Sequence, residues 1–154
     1  MRLALVFFTG TLVISLPLMA QEEPTGGDQP GNEVVIEGEA SYYGGKFNGR
    51  TTANGERFDE NKMTAASKEL PLGSKATVTN EETGESVDVK INDRGPYAKG
   101  RVVDVSKRAA KELDMIDDGT AQVRIEVDPD EQPSPQLKEK VEDLADKQQS
   151  KTQK

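Results

Sequence analysis

Asn92-Asp93-Arg94-Gly95-Pro96-Tyr97-Ala98-Lys99-Gly100-Arg101-Val102-Val103-Asp104-Val105-Ser106 joins two strands through a tight loop. Upstream, Val87-Asp88-Val89-Lys90-Ile91 alternates apolar and charged residues, so Val87, Val89 and Ile91 share the inner face of a strand. Gly95-Pro96 breaks that strand, and Gly100 allows a second turn before Arg101–Val105 resumes extended structure. There Val103 and Val105 face one way, Val102 and Asp104 the other. Ser106 then caps a short helix over Lys107–Leu113. The loop thus delivers two carboxylates, Asp93 and Asp104, with Arg94, Lys99 and Arg101 between them in sequence. These residues alone allow two readings. One is a solvated charged loop in which Asp93 braces the turn through an Asx-type hydrogen bond; the other is a site.

The 154 residues suit one domain, and with 33% hydrophobic against 31% charged residues its core is small. The chain has no Cys and no His. That excludes disulfides, thiolate metal sites and Ser-His or Cys-His catalytic pairs, and it argues against zinc; no metal or cofactor is expected. The net charge of −8, from 20 basic and 28 acidic residues, argues against nucleic acid as a partner. Phosphate binding needs a concentrated basic surface.

Met1–Ala20 has a separate character. Arg2 precedes the largely apolar run Leu3–Leu16, and Pro17-Leu18-Met19-Ala20 closes it, the layout of a secretory signal peptide. An uncleaved anchor is the alternative, but the run sits at the lower limit of the about 17–25 residues that span a bilayer. No Cys follows to carry a lipid, so no stable membrane anchor is expected after cleavage. The expected location is a bacterial periplasm, cell envelope or medium. Residues 21–36, rich in Glu, Gly and Pro toward their start, read as a flexible linker.

Val34–Tyr43 can form a first strand, where Gly38 and Ala40 leave room for another backbone to pass. Residues 47–66, punctuated by Gly49, Asn54-Gly55 and Asp59, read as irregular. Lys75–Thr79 and Glu85–Ile91 form the clearest hairpin, and Gln122–Val127 adds a strand with Val123, Ile125 and Val127 inward. Many short strands and one short helix indicate an all-β domain, a small closed barrel. In the tail, residues 128–154, Leu137, Val141 and Leu144 follow helical spacing. That stripe is too short to fold reliably by itself, so a frayed tail or a short helix is expected. Tyr42, Tyr43, Phe47, Phe58 and Tyr97 all flank turns. Phe47 and Phe58 read as plugs for the barrel ends. Tyr43 and Tyr97 read as rim residues, with a ring face for a ligand and a hydroxyl for water.

Six segments in order, Gly38–Gly44, Phe47–Asp59, Thr64–Ala66, Leu70–Gly73, Asn92–Pro96 and Arg101–Ser106, resemble the rare lipoprotein A family. The resemblance covers Glu37–Val127 and implies a six-stranded double-psi β-barrel over residues 37–127, related to the first domain of expansins. It implies an endolytic lytic transglycosylase acting on peptidoglycan glycan strands. An acid protonates the glycosidic oxygen between N-acetylmuramic acid and N-acetylglucosamine, and the muramyl C6 hydroxyl closes onto C1 to leave a 1,6-anhydro end. No water is consumed, which relaxes the two-carboxylate requirement of ordinary glycosidases. By the same resemblance Asp93 matches a carboxylate implicated in activity, Glu56 and Asp59 match acids of the groove, and Asp104 sits where expansins keep an essential Asp. Asp59, Ser67, Arg94, Tyr43 and Tyr97 are expected to contact substrate.

One departure concerns Ser67. The family usually reads Thr-Ala-Ala-His where this chain reads Thr64-Ala65-Ala66-Ser67, and a hydroxyl cannot carry a proton near neutral pH as His can. Three functions therefore stand side by side: a lytic transglycosylase using Asp93 with Glu56 and Asp104, a non-catalytic glycan-binding module of expansin type, and a protein-interaction module with acidic tails.

Overall fold

The computed structural model describes residues 32–153; the expected signal peptide and all but the end of the expected linker lie outside them. Six strands, β1 (Val34–Tyr42), β2 (Thr64–Ser67), β3 (Lys75–Asn80), β4 (Ser86–Asp93), β5 (Arg101–Val105) and β6 (Thr120–Val127), close into a barrel in the order β1-β5-β2-β4-β3-β6. The pairs β1–β5 and β2–β4 are parallel and the others antiparallel. β1 begins at Val34, inside the stretch read as linker, because Val34 pairs with Val127 and is buried. β2 is a strand where the sequence reads as irregular. Its residues, Thr-Ala-Ala-Ser, are all buried and show no apolar–polar alternation.

Alternation holds elsewhere. Val87, Val89, Ile91, Val103, Val105, Val123, Ile125 and Val127 all point into one core, as expected. Each contributes about 1.5–3 kcal/mol of apolar burial. Ser106 caps α1 (Lys107–Glu112), its hydroxyl accepting from the Ala109 amide. α1 supplies Ala109 and Ala110 to the core, and Leu113 and Met115 follow it inward.

Gly38 has a reason different from the expected one. A Cβ there would lie 2.6 Å from Cγ1 of Val102, and the backbone sits at φ +158°, so a neighbouring side chain and the local backbone conformation together demand the glycine. Gly38→Ala is expected to destabilise the barrel by about 1–3 kcal/mol through overpacking. Val102→Ala in the same chain should recover the overpacking part of that loss, but not the backbone part, in a denaturant titration. No recovery at all would mean that the backbone alone, and not the Val102 methyl, sets the requirement.

The tail is not frayed. α2 (Pro135–Thr152) is an 18-residue helix capped by Ser134, with Val141 and Ala145 fully buried in the barrel's core cluster. Isolated, such a helix is marginal; docking its apolar stripe is what stabilises it. Two glutamines fasten the segment. The Gln148 side chain accepts from the Val35 amide (3.1 Å) and donates to the Val35 carbonyl (3.0 Å). Gln132 does the same to Lys75, at 3.0 Å for both bonds.

Candidate active site

Both parallel strand pairs contain a register shift, and each re-aims side chains. On β4, strict alternation would carry Asp93 to the core face with Val87, Val89 and Ile91. Instead the β2–β4 register jumps from Ala65↔Ile91 to Ala66↔Asp93, leaving Asn92 as the extra residue and turning Asp93 off the core face. Across β2, Ala66 also pairs with Asp104 on β5, and Asp104 pairs with Ser41 on β1. Ser41, Asp104, Ala66 and Asp93 therefore form one transverse row over four adjacent strands. Neighbouring strands lie about 4.8 Å apart, which separates the two aspartate Cα atoms by roughly 10 Å. The methyl of Ala66 lies between them, and all four residues line a groove of about 690 Å³.

The two carboxylates are held differently. Asp104 Oδ1 accepts from the Ser41 hydroxyl at 2.5 Å and lies 3.6 Å from Nη1 of Arg101, which also donates to Ser41. Its charge is matched by a cation. Asp93 Oδ1 accepts from the amides of Ala53 (2.9 Å) and Arg94 (2.8 Å), so the turn-bracing bond expected of it exists. Among the described residues no cation lies within 4.0 Å of Asp93 and its other oxygen takes no hydrogen bond. Arg94 points away, Nη1 donating to the carbonyls of Ser67 (2.9 Å) and Leu70 (2.7 Å), and so ties the groove loop to the turn after β2.

Tyr43 occupies the groove and not its rim. Its ring packs at 4.7 Å and 72° on the buried Phe58 and at 6.0 Å on Phe47, while its hydroxyl is buried without a hydrogen-bond partner. Burial, reinforced by the negative charges of Asp93 and Asp104, pushes the phenol well above the usual tyrosine range. It stays a neutral donor facing the two acids. The difference in phenolate absorbance between wild type and Tyr43→Phe should be close to zero at about pH 10, where a free tyrosine is half ionised. A full phenolate signal from Tyr43 at that pH would contradict this burial. Because its folded pKa is raised, the stability this group contributes is complete below about pH 10 and is lost only as pH climbs above it. Tyr97 does sit on the rim, 82% exposed. Phe47, expected as a plug, is half-buried and lines the groove.

Three expected site residues lie elsewhere. Glu56 is exposed and paired with Lys90 on β4; that hydrogen bond first, with help from Asn92 and Asn54, holds its carboxyl below the usual range. That contact favours the ionised form of the carboxyl. Asp59 accepts from the amide of Asn61 at 2.9 Å and braces its own turn. Ser67 pairs with Val103 on the core face, one residue past the groove-facing Ala66, and its hydroxyl accepts from the amides of Glu69 and Leu70. Conversely, Ser41 was absent from the expected site, although alternation along β1 and β5 carries it to the Asp104 face.

A closed six-stranded mixed barrel of this strand order, with two parallel pairs, is a double-psi β-barrel. In fold the chain resembles a mutant Clavibacter michiganensis expansin solved in complex with cellohexaose, with a TM-score of 0.50 at 18% identity over 62% of this chain and 52% of that one. The chain belongs to the lytic transglycolase family, whose model matches residues 35–125. It is 52% identical over 94 residues to the endolytic peptidoglycan transglycosylase RlpA of Neisseria meningitidis serogroup B, covering 61% of this chain and 39% of that protein. It is 54% identical over 93 residues to the endolytic peptidoglycan transglycosylase RlpA of Pseudomonas aeruginosa strain PAO1, covering 60% of this chain and 27% of that protein. The chain thus matches well under half the length of these curated relatives.

Proposed function

We propose that this chain is an exported endolytic peptidoglycan lytic transglycosylase, with Asp93 as its acid and base. One observation carries the assignment: Asp93 is the groove carboxylate that a bulge lifts out of the core and leaves without an ion pair. In the reaction, the Asp93 carboxyl gives a proton to the glycosidic oxygen as the C1–O bond of the muramyl residue breaks. The resulting Asp93 carboxylate takes the C6 hydroxyl proton while that oxygen closes onto C1. The proton ledger returns to its start and a 1,6-anhydro end remains. Asp104, fixed by Ser41 and Arg101, places a second carboxyl group beside the oxocarbenium-like state. The neutral hydroxyl of Tyr43 can donate to a sugar oxygen between them.

Glu56 is assigned here to hold the loop beside Asn92, and Ser67 to hold the turn after β2, so neither transfers a proton. Incubating the purified chain with peptidoglycan glycan strands and weighing the products by mass spectrometry tests the reading. Products 18 Da lighter than the hydrolytic ones, the mass of one water, are expected. Binding without any release would leave the groove a glycan-binding module.

A further inference from the structure

We infer that the turn Thr52–Glu56, shaped by the side chain of Asn54, positions Asp93 for proton transfer, which makes Asn54 a positioning residue of the reaction; this rests on the reading of Asp93 as acid and base. Thr51 and Arg57 form an isolated antiparallel bridge, and the chain reverses between them. The reversal is closed by the Gly55 amide on the Thr52 carbonyl (3.0 Å) and the Thr52 amide on the Glu56 carbonyl (2.8 Å). In such a turn the two central amides, those of Ala53 and Asn54, have no acceptor within the turn and need one outside it. Both find one at the end of β4. The Ala53 amide donates to Asp93 Oδ1 (2.9 Å), and the Asn54 amide donates to the carbonyl of Asn92 (3.2 Å), the extra residue of the bulge. The turn therefore grips both the bulge that lifts Asp93 off the core face and the carboxyl so lifted.

Asn54 gives the turn its shape. Its side-chain oxygen accepts from the Thr52 hydroxyl (2.7 Å) and from the Glu56 amide (3.1 Å), an Asx-type arrangement across the tip. Two donors converge on that one atom, so position 54 needs an acceptor, which an aliphatic side chain cannot supply. Glu56 fastens the far side of the turn, pairing with Lys90 and accepting from the Asn92 carboxamide at 3.4 Å. On Asp93, the Ala53 and Arg94 amides share Oδ1. Two amides on one oxygen fix the rotation of the carboxyl group and leave its other oxygen for the substrate. Proton transfer needs that oxygen within about 2.6–3.2 Å of its acceptor, so a slackened turn costs rate before it costs binding.

The test takes the whole chain with peptidoglycan glycan strands and measures kcat for anhydro ends, strand affinity and the thermal midpoint. Ala53→Pro deletes the amide hydrogen that Asp93 receives while keeping the turn, because proline suits the first central position and no bond within the turn uses that hydrogen. Asn54→Ala removes the acceptor that shapes the tip, and Asn54→Asp restores it. Ala53→Pro and Asn54→Ala should each lower kcat by about 10²-fold, the cost of misplacing a reacting group by about 1 Å, with strand affinity unchanged. Ala53→Pro should keep the wild-type thermal midpoint, and Asn54→Asp should recover most of the kcat lost in Asn54→Ala. Where Ala53→Pro does not fold, the Asn54→Ala and Asn54→Asp pair decides alone. Wild-type kcat in Ala53→Pro or in Asn54→Ala overturns the proposal, as does an Asn54→Asp that recovers nothing. Affinity and thermal midpoint falling in step with kcat also overturn it, since the turn would then be a brace for the fold and not for Asp93. A wild type that releases no anhydro ends overturns the reading of Asp93 itself, a result distinct from variants that match an active wild type.

Discussion

Asp93→Asn should remove anhydro-product formation, lowering turnover by about 10²–10⁴-fold, the usual cost of losing a group that transfers the proton. The substitution is unusually clean here. Asp93 uses one oxygen to accept from the Ala53 and Arg94 amides, and the Asn carbonyl oxygen can accept both. Groove shape and loop anchorage are therefore kept while the titrating oxygen is replaced by an amide. The thermal midpoint and the affinity for glycan strands should change little, so a fall in turnover reads as chemistry. Anhydro ends released by Asp93→Asn at the wild-type rate would move the acid elsewhere, with Asp104 the remaining carboxylate of the row.

Val141→Asp should be the most damaging single change to stability. Val141 lies in α2, outside the residues matched by the family model, and is completely buried in the barrel's core cluster. Its replacement forfeits about 1.5–3 kcal/mol of apolar burial and places an unpaired carboxylate in the core. A loss of about 3–5 kcal/mol follows, a large part of the 5–15 kcal/mol that holds a domain together. A single cooperative transition at a midpoint lower by roughly 10–20 °C is expected in calorimetry. A barrel that melts unchanged while only the helix signal disappears would show that α2 is a separate appendage.

The barrel strands were legible wherever one face met the core and the other met water. Val87-Asp88-Val89-Lys90-Ile91 and Gln122–Val127 announce themselves by alternation, and both hold their expected faces. β2 was not legible, because Thr64, Ala65, Ala66 and Ser67 are small and buried on both sides. That omission had a cost at the site. Without β2 as a strand, nothing revealed that Ala66 bridges the two aspartates or that Ser67 faces the core. The same blind spot hid the displacement of Asp93, since a bulge is a property of two paired strands and leaves no mark on either alone. The aspartates themselves were visible from their places at the ends of one loop. Glu56 was visible too, but its capture by Lys90 depends on a neighbour 34 residues away. α2 was underestimated because its stabilisation comes from the barrel it covers and not from its own sequence.

Gln132 and Gln148 do more than fasten the tail. β1 pairs with β5 only from Glu39 onward, and β3 pairs with β6 only from Thr77, so the first residues of both strands present unpaired amides and carbonyls at the barrel's margin. Such open edges are templates for strand addition by another chain. A glutamine side chain carries the same donor and acceptor as a peptide group, and each of these two occupies the place an intruding strand would take. The tail thereby blunts two sticky edges of a barrel that otherwise closes on itself. Replacing both glutamines would leave the groove intact and expose a surface suited to chain-to-chain association.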